Sequence, residues 1–365
     1  MERERLASGS EKPVGIKEVA AAAGVSTTTV SHALNGKGRL PDATRQHVRE
    51  VAERLGYRAS ATARHFASGR SGLIALALSD EIARTLAVAG FTFYAQLMFA
   101  AAERCLEHGF ALVLAGGASA GEWLSGEPDA IFGVDPVAGD PVWTELTEAA
   151  APHVTVGRPG EEEECPWVDN DHCAAARQAF EHLRSRGAER IAIIGTGLTT
   201  SVEADIHGAY EQWCGEQGHP PLVGSARRDL SASGGFDAML ALLGGAQPPD
   251  AIYATVDRLA LGAALAAGAR GLEIPGRLMI VACGDSEAAA WTHPSLTAVD
   301  LAADEIARRG IDMLVGMIDG SAPQPAPQFV GTRLVERDST NRGAGRAPFG
   351  VAPDAAKGSH RATVA

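Results

Sequence analysis

Short polar side chains that can touch nucleic-acid bases crowd one stretch of the chain: Thr27, Thr28, Thr29, Ser31 and His32 follow directly on Ser26. Ser26 is a good helix N-cap. A helix opening there turns Val30 and Leu34 inward and Thr27, Thr28, Ser31 and His32 outward. Hydroxyls and an imidazole at a helix N-terminus suit the edges of the major groove: Thr offers a hydrogen bond or a methyl contact to thymine, and His donates to a purine N7 or O6. The same spacing fits equally a helical hairpin whose hydroxyls form a solvated face.

Farther along, Asp80, Arg158 and Asp257 each stand at or near the end of an apolar run, where open parallel sheets bind their ligands. Each also suits a helix N-cap or a solvated turn. Gly195-Thr196-Gly197 begins like a dinucleotide-binding turn, but Thr200 stands where the third glycine belongs. With no P-loop, H-E-x-x-H or G-x-S-x-G, a nucleotide-dependent enzyme is the weaker alternative, and no catalytic residue, metal ligand or cofactor is assigned. Five cysteines (Cys105, Cys165, Cys173, Cys214, Cys283) without a C-x-x-C pair fit reduced, mostly buried thiols rather than disulfides or a zinc site.

These residues need a scaffold of two or three folded units, since the chain has 365 residues and domains run to roughly 100–200. At 45% apolar and 21% charged the composition is that of an ordinary globular protein. No apolar run approaches the roughly 18 residues of a membrane span, and the charged start, Met1-Glu2-Arg3-Glu4-Arg5, does not read as a secretory signal; a cytoplasmic location, on the nucleoid, is expected. The net charge of −13 argues against a nucleic-acid partner until its distribution is seen: residues 1–72 carry 12 Lys and Arg against 7 Asp and Glu. A small basic head thus precedes a large acidic body.

The head reads as three helices, 16–23, 26–34 and 42–55, within a unit at 14–58. After a link at 59–71, apolar strand candidates at 73–78, 111–114, 130–134, 153–156, 190–194, 251–254 and 278–282 alternate with helical stretches such as 96–107, 174–186, 238–243 and 258–267. That alternation predicts a doubly wound parallel α/β fold, long enough for two sheets. Residues 1–13 and 337–365 read as disordered tails.

The stretch STTTVSHALN, with IKEVAAAAGV before it and TRQHVREVAERLGYRASATARHFASGRSG after it, strongly resembles the head and hinge of the LacI-type transcriptional regulators, the lactose and purine repressor family. The resemblance implies that Thr27, Thr28 and His32 read bases, and that Ser26, Lys37, Arg39 and Arg45 meet the DNA backbone. It also implies a hinge helix at 60–67 in the minor groove, where Phe66 takes the place of the usual leucine wedge. Ala67 stands where many members carry a basic residue.

A weaker resemblance continues to about Ser339 and implies a two-lobed, periplasmic-binding-protein-like effector and dimerisation core at 72–336, with chain crossings near 165 and 295. The expected protein is a homodimeric, ligand-responsive regulator, acting as a repressor on a pseudo-palindromic double-stranded operator. A ligand-binding protein without DNA function is the other alternative, and the intact head speaks against it. The implied effector residues are Asp80, Phe93, Arg158, Asp205, Asp257 and Asp285. Several positions depart from the family pattern: Asp205 replaces an arginine, Val256 an asparagine, and Gly284 and Gly157 acidic residues, while the loop between Asp80 and Phe93 looks longer. A carboxylate at 205 points to a neutral polyol or a cationic ligand, unless Asp205 is a solvated turn residue or pairs with a nearby arginine.

Overall fold

The computed structural model describes residues 14–34, 39–57, 70–79, 82–83, 92–116, 128–137, 144, 151–158 and 165–341. The head consists of α1 (Ile16–Ala23), α2 (Thr27–Leu34) and α3 (Asp42–Arg54). Its small core is the inward stripe of all three: Val19, Ala20 and Ala23, then Val30 and Ala33, then Val48, Val51 and Ala52. Gly24, at φ 66, ends α1 in the left-handed conformation, and two residues later Ser26 Oγ accepts from Thr29 N at 3.0 Å to start α2. The tight turn between α1 and α2 therefore follows from one glycine and one hydroxyl. The expected hinge at 60–67, with Phe66, and Lys37 lie outside the described residues.

Two six-stranded sheets make the body. The first contains β1 (Leu73–Leu78), β2 (Ala111–Gly116), β3 (Ala130–Val134), β4 (His153–Val156) and β5 (Trp167–Asn170), with α4 (Thr92–Glu107) between β1 and β2. The chain then passes through α5 (His172–Ser185) into the second sheet: β6 (Ile191–Gly195), α6 (Ser201–Gln217), β7 (Val223–Ser225), α7 (Ala232–Leu243), β8 (Ala251–Ala254), α8 (Asp257–Ala269), β9 (Met279–Cys283), α9 (Glu287–Trp291) and β10 (Thr297–Asp300). Next α10 (Ala303–Asp319) returns to pack on the first lobe, β11 (Gln328–Val330) completes the first sheet, and β12 (Arg333–Val335) closes the second. Strand order is β11-β5-β4-β3-β1-β2 in one sheet and β12-β10-β9-β8-β6-β7 in the other. Every pairing is parallel except β10 with β12.

Strands buried on both faces read as continuous apolar runs, which is why β3 (AIFGV) and β8 (AIYA) are fully buried. The chain crosses between lobes three times, after β5, after β10 and between β11 and β12, rather than twice. Residues 337–341, expected to belong to a disordered tail, are part of the folded body. Residues 338–340 form a 3-10 turn in which Ser339 and Thr340 are buried, because Ser339 Oγ donates to Ile280 O at 2.6 Å and accepts from Thr297 N at 2.8 Å. Polar side chains satisfied in this way can enter a core. Among the described residues no helix is long and apolar enough to cross a membrane.

Candidate functional site

Carboxyl ends of strands from both sheets meet at one cleft of about 950 Å³ including its open mouth. Asp135 follows β3, Val156 ends β4, Thr196 follows β6, Thr255 follows β8, Gly284 and Asp285 follow β9, and Asp300 ends β10; all line the cleft, with Phe93 and Tyr94 of α4. Parallel strands aim their free ends at the same edge of each sheet, so placing two sheets edge to edge creates the site. Leu198 and Leu230 of the second lobe belong to the apolar cluster of the first. The lobes are therefore in contact around the cleft.

Carboxylates dominate its polar lining. Asp135 sits at φ 46 in the left-handed region and accepts a hydrogen bond from Tyr94 Oη. Burial raises its pKa to about 6; the charge of Asp169 adds to the rise, while Tyr94 and His172 oppose it. Asp169 Oδ1 accepts from Asn170 N at 2.8 Å and meets His172 Nε2 at 3.1 Å. Burial works against charge on His172, but Asp169 and Cys283 outweigh it and raise the imidazole to about 10. Glu203 is buried too, and burial pushes it up, yet hydrogen bonds from His207, Thr255 and Thr196 hold it below the usual carboxylate range. Burial raises Asp257, against bonds from Ser286 and Arg258 N.

Of the expected effector residues, Phe93, Asp257 and Asp285 line the cleft, Asp285 with its charge met by Arg337 at 2.7 Å. Asp80 lies outside the described residues. Arg158 and Asp205 are not among the lining residues; they pair with each other across the lobes, and Arg158 N donates to Ser201 Oγ at 3.0 Å beside them. The arginine-pairing alternative for Asp205 is what the structure contains. Tyr94, Asp135, Asp169, His172 and Glu203 escaped the reading of the sequence. Two signals pointed at them: Asp135 follows an apolar strand just as Asp80 does, and Thr200-Ser201-Val202-Glu203 has the T-x-x-E spacing of a capping box.

Glu203 also accounts for the Gly195-Thr196-Gly197 turn. Its carboxylate accepts from Thr196 N at 3.1 Å, and a Cβ at Gly195 would fall 2.8 Å from Glu203 Oε2. An acid side chain occupies the turn that in a dinucleotide site faces a phosphate.

On the head, Thr27 and Thr28 are exposed and His32 half-buried at the surface of α2. Arg45 Nη1 donates to His32 O at 3.2 Å, so α3 holds the C-terminal half of α2 in place. Arg39 is exposed, and Ser26 serves as the cap of α2.

A helix-turn-helix head followed by a two-lobed α/β cleft defines a DNA-binding regulator that senses a small molecule. Residues 15–60 match the family model described as bacterial regulatory proteins, lacI family, and residues 180–340 match that of the periplasmic binding protein-like domain. The chain is 31% identical over 337 residues to the HTH-type transcriptional regulator CelR of Thermobifida fusca, spanning 89% of this chain and 97% of that one. It is similar in structure to the transcriptional regulator CelR–cellobiose complex, with TM-score 0.67 and 28% identity over 89% of this chain and 99% of that one. The lac repressor dimer bound to operator and the anti-inducer ONPF shares the fold, with TM-score 0.73 and 23% identity over 90% of this chain and 99% of that one. The chain belongs to the LacI family of transcriptional regulators, which are DNA-binding regulators and not enzymes.

Proposed function

We propose that the protein is a repressor that binds a pseudo-palindromic operator as a dimer and responds to a neutral or cationic polyhydroxylated effector held between its lobes. The observation that carries the effector class is the charge of the cleft. Asp135, Asp169, Glu203 and Asp257 line it, whereas Arg158 and Arg337 are committed to Asp205 and Asp285. A phosphate or carboxylate entering there meets like charge without a forked donor to receive it. Apolar walls at Ile82, Phe93, Leu198 and Leu301 suit the C–H faces of a sugar ring. A relative solved as a cellobiose complex is in keeping with such a ligand.

In this reading Thr27, Thr28 and His32 contact bases, Ser26, Lys37, Arg39 and Arg45 support them at the backbone, and Phe66 wedges the minor groove from a hinge within 59–71. Residues 14–58 form the DNA-binding unit, and the effector core runs from 72 to 341, five residues beyond its expected end. The dimer forms through the first lobe, where Phe99 and Leu106 on α4 and Leu114 on edge strand β2 are 75%, 68% and 56% exposed. The site of action is the chromosome in the cytoplasm.

The test uses the full-length protein on an operator recovered by sequencing genomic fragments that it retains. Operator affinity should fall steeply with salt, with a log–log slope of about −7 for roughly four phosphate contacts per head. Cellobiose, maltose, sorbitol and glucose 6-phosphate are then titrated. A shift in operator affinity with a neutral compound supports the effector class; a response to the phosphate ester alone overturns it.

A further inference from the structure

Within the cleft, one group of side chains is left chemically unfinished. Asp169 is 2% exposed and His172 3%, both line the cleft, and two of their polar atoms, Asp169 Oδ2 and His172 Nδ1, have no hydrogen-bond partner among the described residues. Buried polar atoms without partners are rare, and each costs free energy unless something supplies the missing bond. Asp135 lines the same cleft, close enough for the charges of Asp169 and His172 to act on it, is 6% exposed, and has the Tyr94 hydroxyl as its hydrogen-bond donor. Its Oδ1 would lie 3.0 Å from a Cβ at Gly157, so a side chain at 157 would crowd the carboxylate. Two carboxylates thus stand with one imidazolium, leaving a net negative charge where solvent is largely excluded.

We propose that Asp135, Asp169 and His172 form a subsite for the protonated amine of an amino sugar or a similar amino polyol. This rests on the reading of the cleft as the effector site and narrows it. An ammonium group carries three donors, enough to supply the one Asp169 Oδ2 lacks and a second for Asp135, and it balances the charge. A hydroxyl on the neighbouring carbon offers the acceptor that His172 Nδ1 lacks. A neutral hydroxyl in the same place would donate a single hydrogen bond and leave one carboxylate uncompensated.

Isothermal titration of the full-length protein at pH 7.5 with matched pairs tests this: glucosamine against glucose, and the β-1,4-linked glucosamine disaccharide against cellobiose. The amine of at least one pair should bind ten-fold or more tightly than its hydroxyl partner. Asp135→Asn should remove that preference; Asp135→Ser serves if the first variant fails to fold. Equal or tighter binding of the hydroxyl compounds overturns the amine subsite and leaves the polyol effector standing. Binding of glucose 6-phosphate alone overturns both. An amine preference that survives both substitutions, or no amine binding up to 10 mM, also overturns the subsite.

Discussion

Replacing Asp135 by Asn should make the protein more stable at neutral pH, because the native carboxylate is held in a place that disfavours its charge. Burial and the neighbouring Asp169 move it from an ordinary value of 3.8 to about 6. At about 1.4 kcal/mol per pH unit, that displacement costs roughly 3 kcal/mol of folding stability once the group is ionised. The sign follows from proton linkage. Between about pH 4 and pH 6 the folded protein holds a proton that the unfolded chain has lost, so stability falls as pH rises through this window and then levels off. Asparagine is isosteric, keeps an oxygen for the Tyr94 hydroxyl, and tolerates φ 46 better than most residues. The melting temperature of Asp135→Asn at pH 7.5 should therefore exceed that of the wild type by about 6–12 °C, at about 2–4 °C per kcal/mol for a body of this size. At pH 4.5 the advantage should shrink to about a third. Equal melting temperatures at pH 7.5, or an advantage of the same size at both pH values, would refute the reasoning. A binding group that destabilises its own fold is a familiar feature of functional sites.

Other substitutions probe the rest of the molecule. Asp205→Arg sets two guanidiniums against each other across the lobes and should alter the response of operator affinity to effector; Arg158→Asp in the same chain should restore it, and the absence of rescue would show that the pair does not couple the lobes. His32→Ala should weaken binding to the preferred operator by about 1–3 kcal/mol and relax one base position; an equal loss on all sequences would move His32 to the backbone. Gly262→Ala should destabilise the second lobe by about 3 kcal/mol or more, because the added Cβ falls 2.0 Å from Ala232 O where α7 and α8 meet. Chemical denaturation reads that loss directly, and a neutral outcome would mean that the two helices separate without penalty.

What the sequence made legible is what apolar periodicity encodes. The runs at β1, β3, β4 and β8 were placed to the residue, because strands buried on both faces are mainly apolar, with only His153 and Thr155 of β4 departing from that pattern. The short strands were not. β5 reads WVDN and β12 has only three residues, so neither shows a periodic signal, although Val168, Asp169 and Asn170 are all buried. The C-terminal turn was misread for the same reason: Ser339 and Thr340 look like surface residues until Thr297, Ile280 and His182 supply their hydrogen bonds. In the cleft, Asp257 was legible from its position after an apolar strand and Asp285 from the family resemblance, but nothing in the spacing revealed that Arg337, 52 residues away, meets Asp285. The Asp169–His172 pair was equally silent, since a V-D-N-D-H string carries no period.

The Arg158–Asp205 pair bears on how an effector can act at all. Its side chains are 29% and 15% exposed, so solvent screens it and its contribution to holding the lobes together is no more than about 1 kcal/mol. The Ser201 hydrogen bond to Arg158 N adds a comparable amount, and the contact of Leu198 and Leu230 with the first lobe supplies the apolar part. A ligand moves such an equilibrium only by the difference between its affinities for the two lobe arrangements, and a swing from 1:99 to 99:1 takes about 5.5 kcal/mol. Contacts of this size bias the observed arrangement of the lobes without locking it. Most of the differential energy must then come from groups that a ligand completes only when both walls of the cleft are present. Asp135 and Tyr94 on the first lobe, with Thr196, Glu203 and Asp257 on the second, are placed to be completed together.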